Sequence, residues 1–349
     1  MPVPSGSPGS VGMQQAGLRG NPDIPGVQTL GRAGALAVVA AACILLSGGS
    51  AGAKPSFTTF DVGAATAINS SNTVTGWPAR GTSDSFVRTA DGTVTTFAVP
   101  GANETEAFSI NDGGAVTGPY YTSDGGPAHS YVRASDGTIT TFDVPGSSDT
   151  QARSINNTGA ITGSYEDNQG LNHGFMRDAD GSFTTFDVPG STLTSGSSIN
   201  DKGTIAGVTI VGDVTESFVR SANGTFTTFA VPGALSTAAT SINRKGTVTG
   251  YFGVSNGGSG GFVRNPDGTI TTFDARCDAF TYPVGIDRKG VIAGYCQNDK
   301  GRAVGFVRRP DGRIQNFHVP DGGSTMASGI NDSGVIAGSY TGGGFLRFP

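Results

Sequence analysis

Leucine is scarce in this 349-residue chain, and most of it sits at one end. Five of the nine leucines (Leu18, Leu30, Leu36, Leu45 and Leu46) precede residue 47, leaving Leu171, Leu193, Leu235 and Leu346 for the rest. So few cannot build the apolar faces of several amphipathic helices. Histidine is also rare, and His129, His173 and His318 are spread too thinly for a zinc motif. No phosphate-binding loop occurs. No basic block interrupts a chain of net charge −5, so nucleic acid is not an expected partner. No cofactor and no metal are expected.

What fills the chain instead is glycine (57 residues) and short runs of Thr, Val, Ile and Phe. Glycine and proline together stay below the share that marks a disordered chain. The short apolar runs suit pleated sheet.

Residues 33–46 form an apolar stretch with Arg32 before it and Ala51-Gly52-Ala53 after it. The stretch is short for a membrane span, and the small-x-small ending fits a signal peptide cleaved before Lys54. Residues 1–53 are therefore read as signal peptide and leader, with an uncleaved anchor as the alternative. Residues 54–349 are read as a single domain, secreted or periplasmic, with no other membrane contact and expected as a monomer. Export into an oxidising compartment makes the two remaining cysteines, Cys277 and Cys296, a candidate disulfide. Such a bond would close a loop of about 20 residues, worth roughly 3 kcal/mol.

A repeat of about 44 residues runs through that domain. The triplet Ser/Ala/Gly-Ile-Asn/Asp ends at Asn69, Asn111, Asn156, Asn200, Asn243, Asp287 and Asn331. Seven residues after each comes a glycine, Gly76 to Gly338. An F/Y-x-R motif ends at Arg88, Arg133, Arg177, Arg220, Arg264, Arg308 and Arg347. T-T-F, or its variant N-F, ends at Phe60, Phe97, Phe142, Phe186, Phe229, Phe273 and Phe317. Each unit reads as four short strands, with turns such as Arg244-Lys245-Gly246 and Asn265-Pro266-Asp267-Gly268. The last unit lacks its fourth strand, while Ser56–Val62 is a spare one at the start. Moving that strand to the far end completes the set, which a ring needs and an open solenoid does not. The predicted fold is all-β: a seven-bladed β-propeller of four-stranded blades, the last closed by the N-terminal strand. Ser-Ile-Asn strands would line its channel and T-T-F strands its rim.

The combination G/S-I-N-x-x-G-x-I-x-G-x-Y, H-x-F and T-F-T-T-F-D-V-P-G resembles the bacterial extracellular HAF-repeat family, named for a His-Ala-Phe triplet. The resemblance covers about residues 56–349 and implies export and a propeller-like fold, without a known reaction. Only His129-Ser130-Tyr131 and His173-Gly174-Phe175 keep the naming histidine; Asp84, Glu216, Gly260, Val304 and Gly343 replace it elsewhere.

The repeated polar residues admit two readings each. The asparagines either start a turn by bonding their own backbone or form a polar ring. The arginines either form a cationic ring or staple units together by pairing with Asp61, Asp143, Asp187 and Asp274. Ala98, Ala230 and His318 interrupt that pairing in other units. Second strands end in aromatic and acidic residues, giving as candidate ligand-binding set Trp77, Tyr120, Tyr165, Glu166, Asp167, Tyr251, Tyr295 and Tyr340. Such an edge suits stacking on sugar rings or peptide side chains, though a repeated aromatic also serves as core. The expected function is a non-catalytic binding or interaction module for an extracellular ligand, a glycan or a protein. The alternative is a carbohydrate-active hydrolase or lyase using carboxylates such as Glu104, Glu106, Glu166 or Asp167.

Overall fold

In a computed structural model, the described residues are 54–78, 83–123, 125–255, 257–277, 279–298, 300–320 and 322–349. The leader expected over residues 1–53 lies outside them. Among the described residues every regular element is a β-strand. The alternation of facing positions that strands require shows in runs such as Asp149–Ile155, where partly buried and buried positions take turns.

The third unit shows the plan. Strands Asp149–Ile155, Ile161–Glu166, Asn172–Arg177 and Phe183–Phe186 pair antiparallel in sequence order. Glycines close the turns between them: Gly159 has φ 86° and Gly181 φ 93°, a region that side-chain-bearing residues avoid. In six of the units the first strand shifts register just before the triplet's isoleucine, as between Ala152 and Ser154, and in the fourth unit it shifts once more, between Ser191 and Leu193. In the second unit that strand is instead two short pieces, Glu104–Thr105 and Ser109–Ile110. This shift explains the glycine seven residues after each Asn. A Cβ on Gly163 would lie 1.9 Å from the Gln151 carbonyl oxygen and 2.9 Å from the Phe175 ring.

The N-terminal strand Ser56–Phe60 pairs with the last strand, Gly343–Phe348, in register from Ser56↔Phe348 to Phe60↔Gly344. Neighbouring units touch through packing rather than long ladders; where edge strands meet, a single parallel pair joins them, as at Asn172↔Leu193.

The packing between units repeats one arrangement seven times. The phenylalanine that ends T-T-F enters the next unit, edge-on to the aromatic residue of F/Y-x-R. Phe186 meets Phe218 at 6.2 Å and Phe229 meets Phe262 at 5.8 Å. The arginine of the same motif covers the other side of that ring, at 4.8–5.0 Å in all seven pairs from Arg88 over Phe60 to Arg347 over Phe317. The expected arginine–aspartate staple is therefore corrected. The partner is the ring, which is present in every unit, whereas the aspartate is not. A guanidinium over an aromatic face is worth about 0.5–2 kcal/mol depending on how dry the site is. Burial lowers the pKa of Arg220, Arg264 and Arg308, and none of them forms an ion pair with a carboxylate among the described residues.

The asparagines also do more than form turns. Asn156 Oδ1 accepts from the backbone N–H groups of Thr158 and Ala160, as the turn reading requires. Its Nδ2 donates to the Asn200 carbonyl of the next unit at 2.9 Å. The same amide link runs from Asn69, Asn111, Asn200 and Asn243 to the following unit, and from Asn331 back to the Asn69 carbonyl.

Asp287 alone cannot donate in this way. It is buried at 3 % exposure, and that burial raises its carboxyl pKa against the pull of the Val291 and Lys289 N–H groups. A raised carboxyl pKa favours folding below the unfolded value and loses that contribution as pH rises through the folded one. Asp287→Asn is expected to restore the donor and stabilise the fold by about 1 kcal/mol at neutral pH. The gain should shrink as pH falls through the raised folded value and level off below about pH 4, which thermal unfolding across pH would show.

Candidate functional site

Second strands alternate sides, so the residues one and two places after the repeat glycine face opposite ways. This divides the aromatic set in two. Tyr120, Tyr165 and Tyr340 stand two places after the glycine; Trp77, Tyr251 and Tyr295 stand one place after it.

In the second and third units the first group forms a row across three strands. Tyr165 lies opposite His173 in register and stacks on it at 5.0 Å. His173 Nδ1 is 2.9 Å from Asp187 Oδ2 on one side, and its Nε2 is 3.3 Å from Asp167 Oδ2 on the other. Tyr120, His129 and Asp143 repeat the arrangement, with rings 5.3 Å apart and a 2.9 Å His–Asp contact. The motif histidine thus bridges a second-strand tyrosine and a fourth-strand aspartate. Both rows reach solvent: the side chains of Asp143 and Asp187 are 44 % and 49 % exposed.

Desolvation alone would lower the pKa of His173, but the hydrogen bonds to Asp187 and Asp167 outweigh it and the net shift is upward. The Tyr165 hydroxyl is raised, mainly by burial. Asp167 is held below the usual range, first by the Leu171 N–H. Its Oδ1 accepts from Gln169 and Leu171 while Oδ2 faces His173, so both oxygens are committed. Glu166 lies at the strand end, in register with Asp149 and Asn172.

Elsewhere the row is altered. Phe252 takes the tyrosine position over Gly260 in the fifth unit. Tyr340 packs into the apolar cluster around Phe345. In the sixth unit the position is Cys296, in register with Val304 and fully buried. Cys296 is bonded to Cys277, as expected, with the two Cα atoms 5.8 Å apart. Asp278, beside it, lies outside the described residues.

In the second group, Trp77 and Tyr251 meet rings of the following unit, and Tyr295 meets one on the paired strand of its own. Trp77 packs on Phe108 at 5.9 Å. Tyr251 meets Tyr282 at 5.4 Å, and Tyr282 meets Tyr295 at 5.1 Å, with Phe280 alongside. Burial and the two adjacent tyrosines push the Tyr295 hydroxyl up to about 12. Sequence reasoning passed over Tyr282 and Phe280 because they stand in the segment that departs most from the repeat. A separate cavity of about 330 Å³ is lined by the Ile-Asn/Asp-x triplets of all seven units.

No family model and no curated protein matches this chain. Solved structures do. Virginiamycin B lyase from Staphylococcus aureus is similar at a TM-score of 0.60 and 14% identity, covering 84% of this chain and 98% of its own. The β-propeller domain of the Trilobed protease from Pyrococcus furiosus is similar at 0.55 and 9% identity, covering 81% and 91%. A streptogramin B lyase gives 0.57 and 14%, covering 84% and 97%. The fold is that of a β-propeller. At these identities the likeness extends to the fold alone.

Two predictions test the site's framework. His173→Gln should lower the melting temperature most near pH 5–6. A raised histidine pKa stabilises below the unfolded value and stops doing so as pH rises through the folded one, so the deficit should close by about pH 8. Reduction of Cys277–Cys296 should cost about 3 kcal/mol in denaturant unfolding, with the propeller still folded.

Proposed function

We propose that the chain is an exported, non-catalytic seven-bladed propeller, closed by Ser56–Phe60, that binds an extracellular glycan or protein through the rows of its second and third units. One observation carries the binding reading. Two neighbouring units present the same tyrosine–histidine–aspartate row to solvent, each with a half-buried ring and an exposed carboxylate. Aromatic faces beside fixed hydrogen-bonding groups are how proteins hold sugar rings and polar peptide segments. Two equivalent rows on one rigid frame gain avidity for a ligand long enough to reach both.

Ring closure is supported by the pairing of the first and last strands and by the Asn331–Asn69 link. Export is supported by the disulfide together with the expected cleavage after Ala53. The HAF-repeat resemblance agrees with both. The commitment of Asp167 to a turn and to His173 leaves it poorly placed as a general acid or base.

A glycan-array and polysaccharide pull-down screen tests this reading, run with Tyr120→Ala/Tyr165→Ala in parallel. Binding by the parent protein, at least tenfold weaker in the variant and without product, is the expected result. Depolymerised product would replace it with the hydrolase or lyase reading. Retention by the variant equal to the parent would remove the rows from the binding site.

A further inference from the structure

The turn between the first and second strands lies at the opposite end of the second strand from the rows. The residue two places after the repeat Asn/Asp in that turn is Ser71, Gly113, Thr158, Lys202, Lys245, Lys289 and Ser333. Three consecutive units thus carry a lysine at one position. Arg244 and Arg288 precede two of them, paired with Asp201 at 3.1 Å and Asp332 at 3.8 Å. Lys202, Lys245 and Lys289 are exposed, and none forms an ion pair among the described residues. The whole chain has a net charge of −5, so this arc is a local reversal of sign.

Between the fifth and sixth units the arc deepens into a cleft of about 200 Å³. Lys245 and Lys289 stand on its two walls, with Arg308 between units and no carboxylate in the lining. Arg308 is 7 % exposed, and its Nε is buried without a hydrogen-bond partner. Asn265 and Thr271 add polar groups to the same lining.

We propose that this cleft binds the anionic group of an acidic polysaccharide, a carboxylate or a sulfate. Lysines outside any ion pair, around a lining that holds no carboxylate, favour an oxyanion, and one lysine per unit suits a polymer that repeats its charge. Asn265 and Thr271 offer hydrogen bonds to sugar hydroxyls. The arc is short and the protein acidic, which weighs against a nucleic-acid backbone. The site is on other residues and another end of the strands than the rows, so either proposal can fail alone.

The test is affinity electrophoresis of the full protein in polygalacturonate, dextran sulfate and neutral dextran, with Lys245→Gln/Lys289→Gln and, as control, Lys300→Gln. The two charged polymers separate carboxylate from sulfate recognition. The parent should bind at least one of them, not neutral dextran, and weaken as salt rises. The double variant should bind roughly tenfold less tightly with an unchanged melting temperature, and Lys300→Gln should match the parent. Failure of the parent to bind either charged polymer would overturn the proposal. So would undiminished binding by the double variant, or equal retention by a single-stranded oligonucleotide.

Discussion

Everything in this fold depends on a phenylalanine held between two side chains of the next unit. A four-strand sheet this small cannot bury both of its faces by itself. The T-T-F phenylalanine solves that by leaving its own unit and filling the next, where an aromatic edge closes one side and an arginine the other. The arginine keeps its charge while most of its surface is covered, and the ring's negative face offsets part of the desolvation. Because the partner belongs to the next unit, no unit is complete alone. Phe60 shows the rule at its limit, since it comes from the first strand, pairs beside the last, and still sits under Arg88 of the first unit.

The asparagine links act at the other end of the same contact. Each amide side chain serves its own turn with the oxygen and its neighbour with the nitrogen, which is why both halves of the amide are needed. The sixth unit departs from this scheme in several ways at once. It has Asp287 in place of Asn, Cys296 in place of Tyr, and Val304 in place of His. The disulfide sits where the row would be, and ties that unit covalently to the loop after the fifth. A lost hydrogen bond and a lost polar row are thus accompanied by a cross-link.

With the frame repeated this regularly, differences between units are concentrated at strand ends, where they do not disturb packing. The rows of the second and third units occupy one end of the second strand; the lysine arc of the fourth to sixth occupies the other. Both are polar features in a chain with few charges; the lysines stand where other units have Gly, Ser or Thr, and the row histidines where others have Asp, Glu, Gly or Val.

Strand number, turn placement and the four-strand unit were legible from the amino-acid order because each depends on neighbours a few residues apart. Alternation sets which residues face together, and Gly sets where the chain can turn back. The disulfide was legible for a related reason, since the repeat period placed Cys277 and Cys296 in adjacent units. The partners of the arginines were not. Nothing in the order of residues says whether Arg220 meets Asp187 or Phe186, which are adjacent in the chain and differ only in the side they face. The register shift in the first strand, the split of the aromatic set and the alignment of Lys202, Lys245 and Lys289 were equally hidden. The shift lies inside one hairpin and needs the backbone to be placed; the three lysines lie 43 and 44 residues apart, and only the packing of one unit on the next brings them together.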